Sequence, residues 1–302
     1  MSRPADPYLG SNGVLRNKLG IADPEVLAQQ EARLATIRTA SLDPALLSPP
    51  FSFEKMKAIH GHLFQDVYSW AGKSRSIGLS KLDYDDPRGI PTHFTEPDRI
   101  EKQATAVFQS LPNGDGKTAE EFAAELARLL VRLNDIHPFR EGNGRVQRLV
   151  VCAVAKQAGY DLDFGAMTSE RMVSASIAGS RRDGEPARVV FEELLDPRRS
   201  GALRSALAHL RRILPVWNDL HVATTQTGTA YTGLLVKGEG GDFMLRGTGA
   251  HKDQILIGDL RDLPPGTPVG KAVSFTASQF GSPSDRPAVE SEPRPQKAGN
   301  AR

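Results

Sequence analysis

Apolar residues recur at helical spacing through the first two-thirds of the chain. Phe122, Leu126, Leu129, Leu130 and Leu133 share one helix face, and Thr118-Ala119-Glu120-Glu121 ahead of them reads as a capping box. The run 149–158 is apolar and ends at Gly159, the pattern of a buried central helix with a C-terminal glycine. Short β-prone pieces at 77–81 and 90–94 flank a turn-rich insert at 83–89, which predicts a hairpin. The segment 202–214 reads as a basic amphipathic helix with Leu203, Leu207, Leu210 and Leu214 on one face. From Val216 the pattern turns β-like. Strands are expected at 221–225, 230–237, 242–246 and 254–257, and 266–275 could close a sheet or a small barrel. The stretch 281–302 is rich in Pro, Glu, Arg and Ser without apolar periodicity, and is expected to be disordered. The pattern predicts a mainly α protein. A helical domain at 1–200 carries a hairpin at about 76–95, a linker helix follows at 201–215, and a small β-rich domain occupies 216–280.

Composition narrows the partners. The 302 residues hold 38 Lys and Arg against 36 Asp and Glu, a net charge of +2, so nothing demands nucleic acid or a membrane surface. The β-rich region lacks the clustered aromatic and basic residues of a nucleic-acid-binding module, and reads as an accessory or protein-interaction unit. Cys152 is the sole cysteine, so no disulfide can form within the chain, as expected in a reducing compartment. No apolar run reaches the roughly 18 residues of a membrane span, and the N-terminus lacks a signal-peptide core. A cytoplasmic protein is expected, with export by a specialised secretion system as the alternative.

The chemistry is concentrated in His137-Pro138-Phe139-Arg140-Glu141-Gly142-Asn143-Gly144-Arg145-Val146-Gln147-Arg148, at the junction of the two central helices. A helix N-terminus carries unpaired N–H groups and partial positive charge, and so attracts anions. Gly142 and Gly144 let backbone amides approach phosphate oxygens closely. Arg145 and Arg148 stand at i and i+3, on one face, and guanidinium forks suit phosphate. Glu141 is a hard oxygen ligand suited to Mg²⁺ beside those phosphates. His137, at the end of the preceding helix, is a candidate general base for a hydroxyl nucleophile. His60 and His62 are expected to be packing or surface residues, since spacing i and i+2 puts them on different helix faces and argues against a metal site.

This twelve-residue stretch resembles the signature of Fic proteins, His-Pro-Phe-x-(Asp/Glu)-Gly-Asn-Gly-Arg-x-x-Arg, at every defining position. The stretch 60–75 resembles the family's upstream helix, which leads into its flap, and the likeness extends over roughly residues 6–200. The resemblance implies transfer of AMP from ATP to a Ser, Thr or Tyr hydroxyl of a target protein, with pyrophosphate leaving. His137 would be the base and Glu141 would hold Mg²⁺. Gly142, Asn143 and Gly144 would form an anion nest, Arg145 and Arg148 would grip phosphates, and Phe139 would anchor the loop. The related Doc branch, which phosphorylates, carries a lysine in the corresponding part of its loop, where this chain has Gly144. In the family the flap docks an extended target segment by strand addition, which assigns that role to Ser80, Lys81, Ile90, Pro91, Thr92 and His93. The aspartates 83, 85 and 86 at the tip read as a solvated acidic turn. The segment 172–177 lies where the family has a late helix near the nucleotide. A small β-barrel follows the Fic domain in some secreted effectors, an analogy of fold alone.

Regulation and target follow from the same resemblance. Many Fic proteins silence themselves with (Ser/Thr)-x-x-x-Glu-(Gly/Asn), whose glutamate pairs with the second motif arginine. Here Glu precedes Gly or Asn only at 141 and 239, with His137 and Leu235 four residues upstream, so the strict motif is absent. That resembles the class inhibited by a separate antitoxin, which would present a glutamate to Arg148, and whose targets are type II topoisomerase ATPase subunits. The alternatives are an effector-like enzyme acting on host GTPases, or a non-catalytic interaction module. Retention of His137, Glu141, Arg145 and Arg148 speaks against the last.

Overall fold

The computed structural model describes residues 6–81, 91–181 and 183–281. The expected tail, the tip aspartates and flap residue Ile90 lie outside these. Helix α1, Pro24–Ala40, starts where the Asp23 carboxylate accepts the Glu25 and Val26 amides and Pro24 takes the first helical position. Helix α2, Phe53–Phe64, is capped by Ser52 and buries Phe53, Met56, Ile59, His60, Leu63 and Phe64. The hairpin is short: β1, Ser80–Lys81, pairs antiparallel with β2, Thr92–His93, in the register Ser80 to His93 and Lys81 to Thr92. Helix α3, Pro97–Phe108, follows.

The centre is a helix pair. In α4, Ala119–Ile136, both bonds of the Thr118/Glu121 capping box are present, and all five apolar residues expected inside are buried. In α5, Asn143–Gln157, Val146, Val150, Val151 and Val154 are buried. Each large apolar side chain removed from water here contributes about 1.5–3 kcal/mol, and the two helices bring their facing ends to the motif loop. Three helices complete the α part: α6, Ser169–Ser180; α7, Glu185–Leu195; and α8, Pro197–Ile213. Helix α8 begins several residues before the expected 202.

Five strands follow: β3, His221–Thr224; β4, Ala230–Glu239; β5, Asp242–Gly247; β6, Gln254–Asp259; and β7, Ala272–Thr276. Their order is β3-β6-β5-β4-β7, with β3 parallel to β6 and the other pairs antiparallel. The barrel-like closure considered from the sequence is thereby corrected. β3 pairs with β6 and β7 with β4, so each is an edge, and the sheet stays open. Val222, Met244 and Ile257 belong to the same apolar cluster as the helices, whereas Tyr231, Phe243, Leu245 and Leu256 form a second cluster within the sheet.

Candidate functional site

Helix α4 ends at His137, whose backbone is left-handed at φ 45° and ψ 61°. A non-glycine residue there is strained by about 1–3 kcal/mol, so surrounding bonds must hold it. The His137 N–H donates to the Leu133 carbonyl at 3.1 Å, and Pro138 cannot continue the helix. The main restraint is Arg75. Its Nε donates to the His137 carbonyl at 2.8 Å, and its Nη2 to the Ile136 carbonyl at 3.2 Å and to the Thr95 carbonyl. Its Nη1 donates to the Ile77 carbonyl at 2.6 Å, and its amide to the Pro138 carbonyl at 2.8 Å. A buried guanidinium satisfied by carbonyls suits a helix C-terminus, where the dipole favours positive charge. Desolvation holds its pKa below the ordinary arginine value.

The His137 ring stacks on Phe94 with centroids 4.0 Å apart. Burial pushes this imidazole down to about 4, helped by the positive charges of Arg75 and Lys81 and opposed by the Asn134 backbone. Nδ1 is buried without a hydrogen bond of good geometry. An imidazole neutral at physiological pH is free to accept a proton.

The loop is braced from two sides. The Asn143 side chain accepts the Phe139 N–H at 2.9 Å and donates to the Phe139 carbonyl at 2.8 Å, so Asn143 fastens the turn with its amide group. His60 is buried against Phe139, ring centroids 3.9 Å apart. Its Nδ1 accepts the Gly72 N–H at 2.8 Å, which puts the ring proton on Nε2, 3.0 Å from the Glu141 carbonyl. Desolvation pushes His60 down to about 4 as well. The expected packing role of His60 therefore includes a bond that positions the loop. His62, half-buried, bonds the Arg38 carbonyl at 2.9 Å. Gly142 stands at φ 83°, where an added Cβ would lie 2.4 Å from the Phe64 ring, so glycine is required by both conformation and space.

A cavity of about 560 Å³ opens beside His137. His137, Glu141, Asn143, Gly144 and Arg148 line it, with Ser80, Lys81 and Thr92 from the hairpin. Pro91, His93, Gly142 and Arg145 do not line it. Although Arg145 and Arg148 occupy one helical turn, the Arg145 guanidinium lies over the Phe64 ring and pairs with Glu31 on α1 at 2.7 Å. Glu31, also bonded by the Tyr68 hydroxyl, is 4% exposed, so the pair is anchored from inside. No ion pair involving Arg148 is found among the described residues, and burial with the neighbouring Arg145 charge lowers its pKa. Met172, Val173, Ser176 and Ile177 on α6 form another wall, with Leu130 and Asn134 of α4.

Glu141 is exposed at the cavity, and its Oε1 accepts the Gly142 N–H at 2.8 Å. No cluster of three His, Cys, Asp or Glu exists among the described residues. With phosphate at the adjacent start of α5, a single carboxylate would fit Mg²⁺, which keeps several waters and takes one or two carboxylates plus phosphate oxygens. No described helix is long and apolar enough to cross a membrane.

A buried histidine at one helix end, the start of the next helix and a two-stranded hairpin thus meet at one cavity on a helical scaffold. Residues 50–155 match the Fic/DOC family. A Sinorhizobium fredii protein named "Probable protein adenylyltransferase" is 34% identical over 183 residues, 59% of this chain and 89% of that protein. This chain belongs to the Fic/DOC family. The "Protein adenylyltransferase" of Bartonella henselae is 32% identical over 279 residues, 87% of this chain. The chain spans 50% of that relative's length. The solved type IV secretion system effector protein BepA superposes with a TM-score of 0.78 at 29% identity, over 91% of this chain and 97% of its own. An N-terminal Fic domain from Bartonella quintana with bound ADP superposes at 0.54, with 31% identity over 62% of this chain and 93% of its own.

Proposed function

We propose that the chain transfers AMP from ATP to a Ser, Thr or Tyr hydroxyl of a protein. The supporting observation is the single cavity wall that joins neutral His137, Glu141, Gly144 and Arg148. The target hydroxyl gives its proton to His137 Nε2 while its oxygen attacks the α-phosphorus. The bond to the β-phosphate oxygen breaks and pyrophosphate leaves. Gly144 and its neighbouring amides stabilise phosphate charge at the start of α5, and Arg148 binds the outer phosphates. Glu141 would hold Mg²⁺, which when bound neutralises phosphate charge. Ser80, Lys81, Pro91, Thr92 and His93 dock an extended target segment by strand addition.

ATP labelled at the α-phosphate tests the reaction in a lysate, beside His137→Ala and a γ-labelled control. Label that follows the α-phosphate and needs His137 supports AMP transfer. Label from the γ-phosphate would replace it with phosphorylation. The size of the labelled protein separates a topoisomerase subunit from a small GTPase. The likeness to BepA across both the helical and β-rich parts favours effector-like action and export by a specialised secretion system. Inhibition by a separate partner whose glutamate pairs with Arg148 is supported by that arginine's lack of an ion pair among the described residues. That regulation is wrong if the chain alone is inactive until one of its own glutamates is changed.

A further inference from the structure

The start of α6 is held residue by residue by the polypeptide that leads into the sheet. The Thr168 hydroxyl donates to the Leu220 carbonyl at 2.7 Å. The Ser169 amide donates to the Asn218 Oδ1 at 2.9 Å, and Asn218 Nδ2 donates to the Ser169 hydroxyl at 2.7 Å. Glu170 pairs with His221 Nδ1 at 3.1 Å. Arg171, 4% exposed, donates to the Val222 carbonyl at 3.2 Å and pairs with Glu193 of α7, 1% exposed. Glu193 in turn accepts the Thr224 amide at 2.8 Å and the Thr224 hydroxyl at 2.6 Å. Four consecutive residues, 168–171, thus take partners from the sheet or its entry, and the buried ion pair ties α6, α7 and β3 together.

The next residues of α6, Met172, Val173, Ser176 and Ile177, face the cavity that also holds Arg148. At its far end α6 lies close to α4, where a Cβ on Gly179 would fall 2.3 Å from Val131. A helix fixed at one end by the sheet and at the other by α4 has little freedom to tilt. We infer that the C-terminal sheet sets the position of α6 and, through it, the cavity wall that contacts the nucleotide. Asn218, His221 and Arg171 are then positioning residues for nucleotide binding. This rests on the nucleotide reading proposed above, and gives the β-rich module a task within that site.

The sheet has a second attachment, so the α6 contacts can be cut without releasing it. Arg198 of α8 pairs with Asp242, and Arg199 donates to the Thr224 hydroxyl at 2.6 Å and the Thr225 carbonyl at 2.8 Å. The test is therefore the double variant Asn218→Ala, His221→Ala in the whole chain, with Val269→Ser, an exposed change elsewhere in the module, as control. Backbone hydrogen exchange over 172–177 is measured without ligand, ADP affinity by calorimetry, and KM and kcat for ATP separately.

The inference expects faster exchange at 172–177, ADP binding weakened about fivefold, and KM raised with kcat nearly unchanged, while the control matches the parent. Unchanged exchange, or unchanged ADP affinity in a folded double variant, overturns it. A fall in kcat with KM constant also overturns it. If the parent binds neither ADP nor ATP, the nucleotide reading is what fails. The exchange at 172–177 then still decides whether the sheet holds α6.

Discussion

Replacing His60 by phenylalanine separates what this ring packs from what it bonds. The new ring would keep the stack on Phe139, but the Gly72 amide would lose its acceptor and the Glu141 carbonyl its donor. An unpaired buried backbone group costs about 1–3 kcal/mol. Gly72 is half-buried and Glu141 exposed, so water recovers part of both shares, and a loss of about 1–3 kcal/mol is expected at neutral pH. The pH dependence gives a second signature. His60 lies near 4 in the folded protein against an ordinary 6.5, so between those values the unfolded chain binds more protons. Stability is therefore complete above 6.5 and is lost as pH falls toward 4. One such histidine contributes a slope of up to about 1.4 kcal/mol per pH unit. His137 is shifted the same way, so the pair contribute up to about 2.7 kcal/mol per unit, and His60→Phe removes half. Urea unfolding of both proteins at pH 7.5, 6.0 and 5.0 measures this, the carboxylates being common to both. A variant with parental stability at pH 7.5, or with the parental slope, would refute the reasoning.

Other substitutions probe the neighbouring contacts. Gly142→Ala meets both a left-handed backbone and the Phe64 ring, and should lose about 2–5 kcal/mol by denaturant unfolding; a loss under 1 would mean the loop relaxes freely. Glu31→Gln and Arg145→Gln should be coupled by about 1–2 kcal/mol in a double-mutant cycle, moderated because the Arg145 side chain is 33% exposed. Additive losses would mean the pair stabilises nothing. For the proposed transfer, the acid limb of kcat/KM should fall below about pH 5, since His137 must be neutral to accept a proton and titrates near 4. A limb centred near 6.5 would show a solvated imidazole.

Local signals in the sequence carried far. The Thr118/Glu121 box, the buried face of α4, the hairpin pieces and the strands at 221, 230, 242 and 254 all depend on neighbours a few residues apart, and the structure has them. The sheet's pairing was not legible, because alternation assigns a strand's face and leaves its neighbour open; β3 joins β6 across two intervening strands. Glu31 gave no signal either, standing in a largely polar helix with its partner Arg145 more than a hundred residues away. Arg75 was equally silent, since its partners are carbonyls, which every residue has. The separation of Arg145 from Arg148 shows the same limit. Spacing assigned both to one helix turn, and only the packing of α1 and Phe64 turns one of them away.

If the hairpin docks a target as proposed, Arg75 bears on how such a protein could change that target. One side chain touches the helix end beside His137 and also Ile77 and Thr95, the two roots of the hairpin. Under the docking proposed above it would work as a ruler: a peptide laid along the hairpin would be measured against the imidazole by a fixed rigid length. Sequence beyond those roots can then drift toward new partners while the reacting geometry is inherited unchanged. The division resembles a tool holder with exchangeable jaws, and Arg75 is the part that must stay.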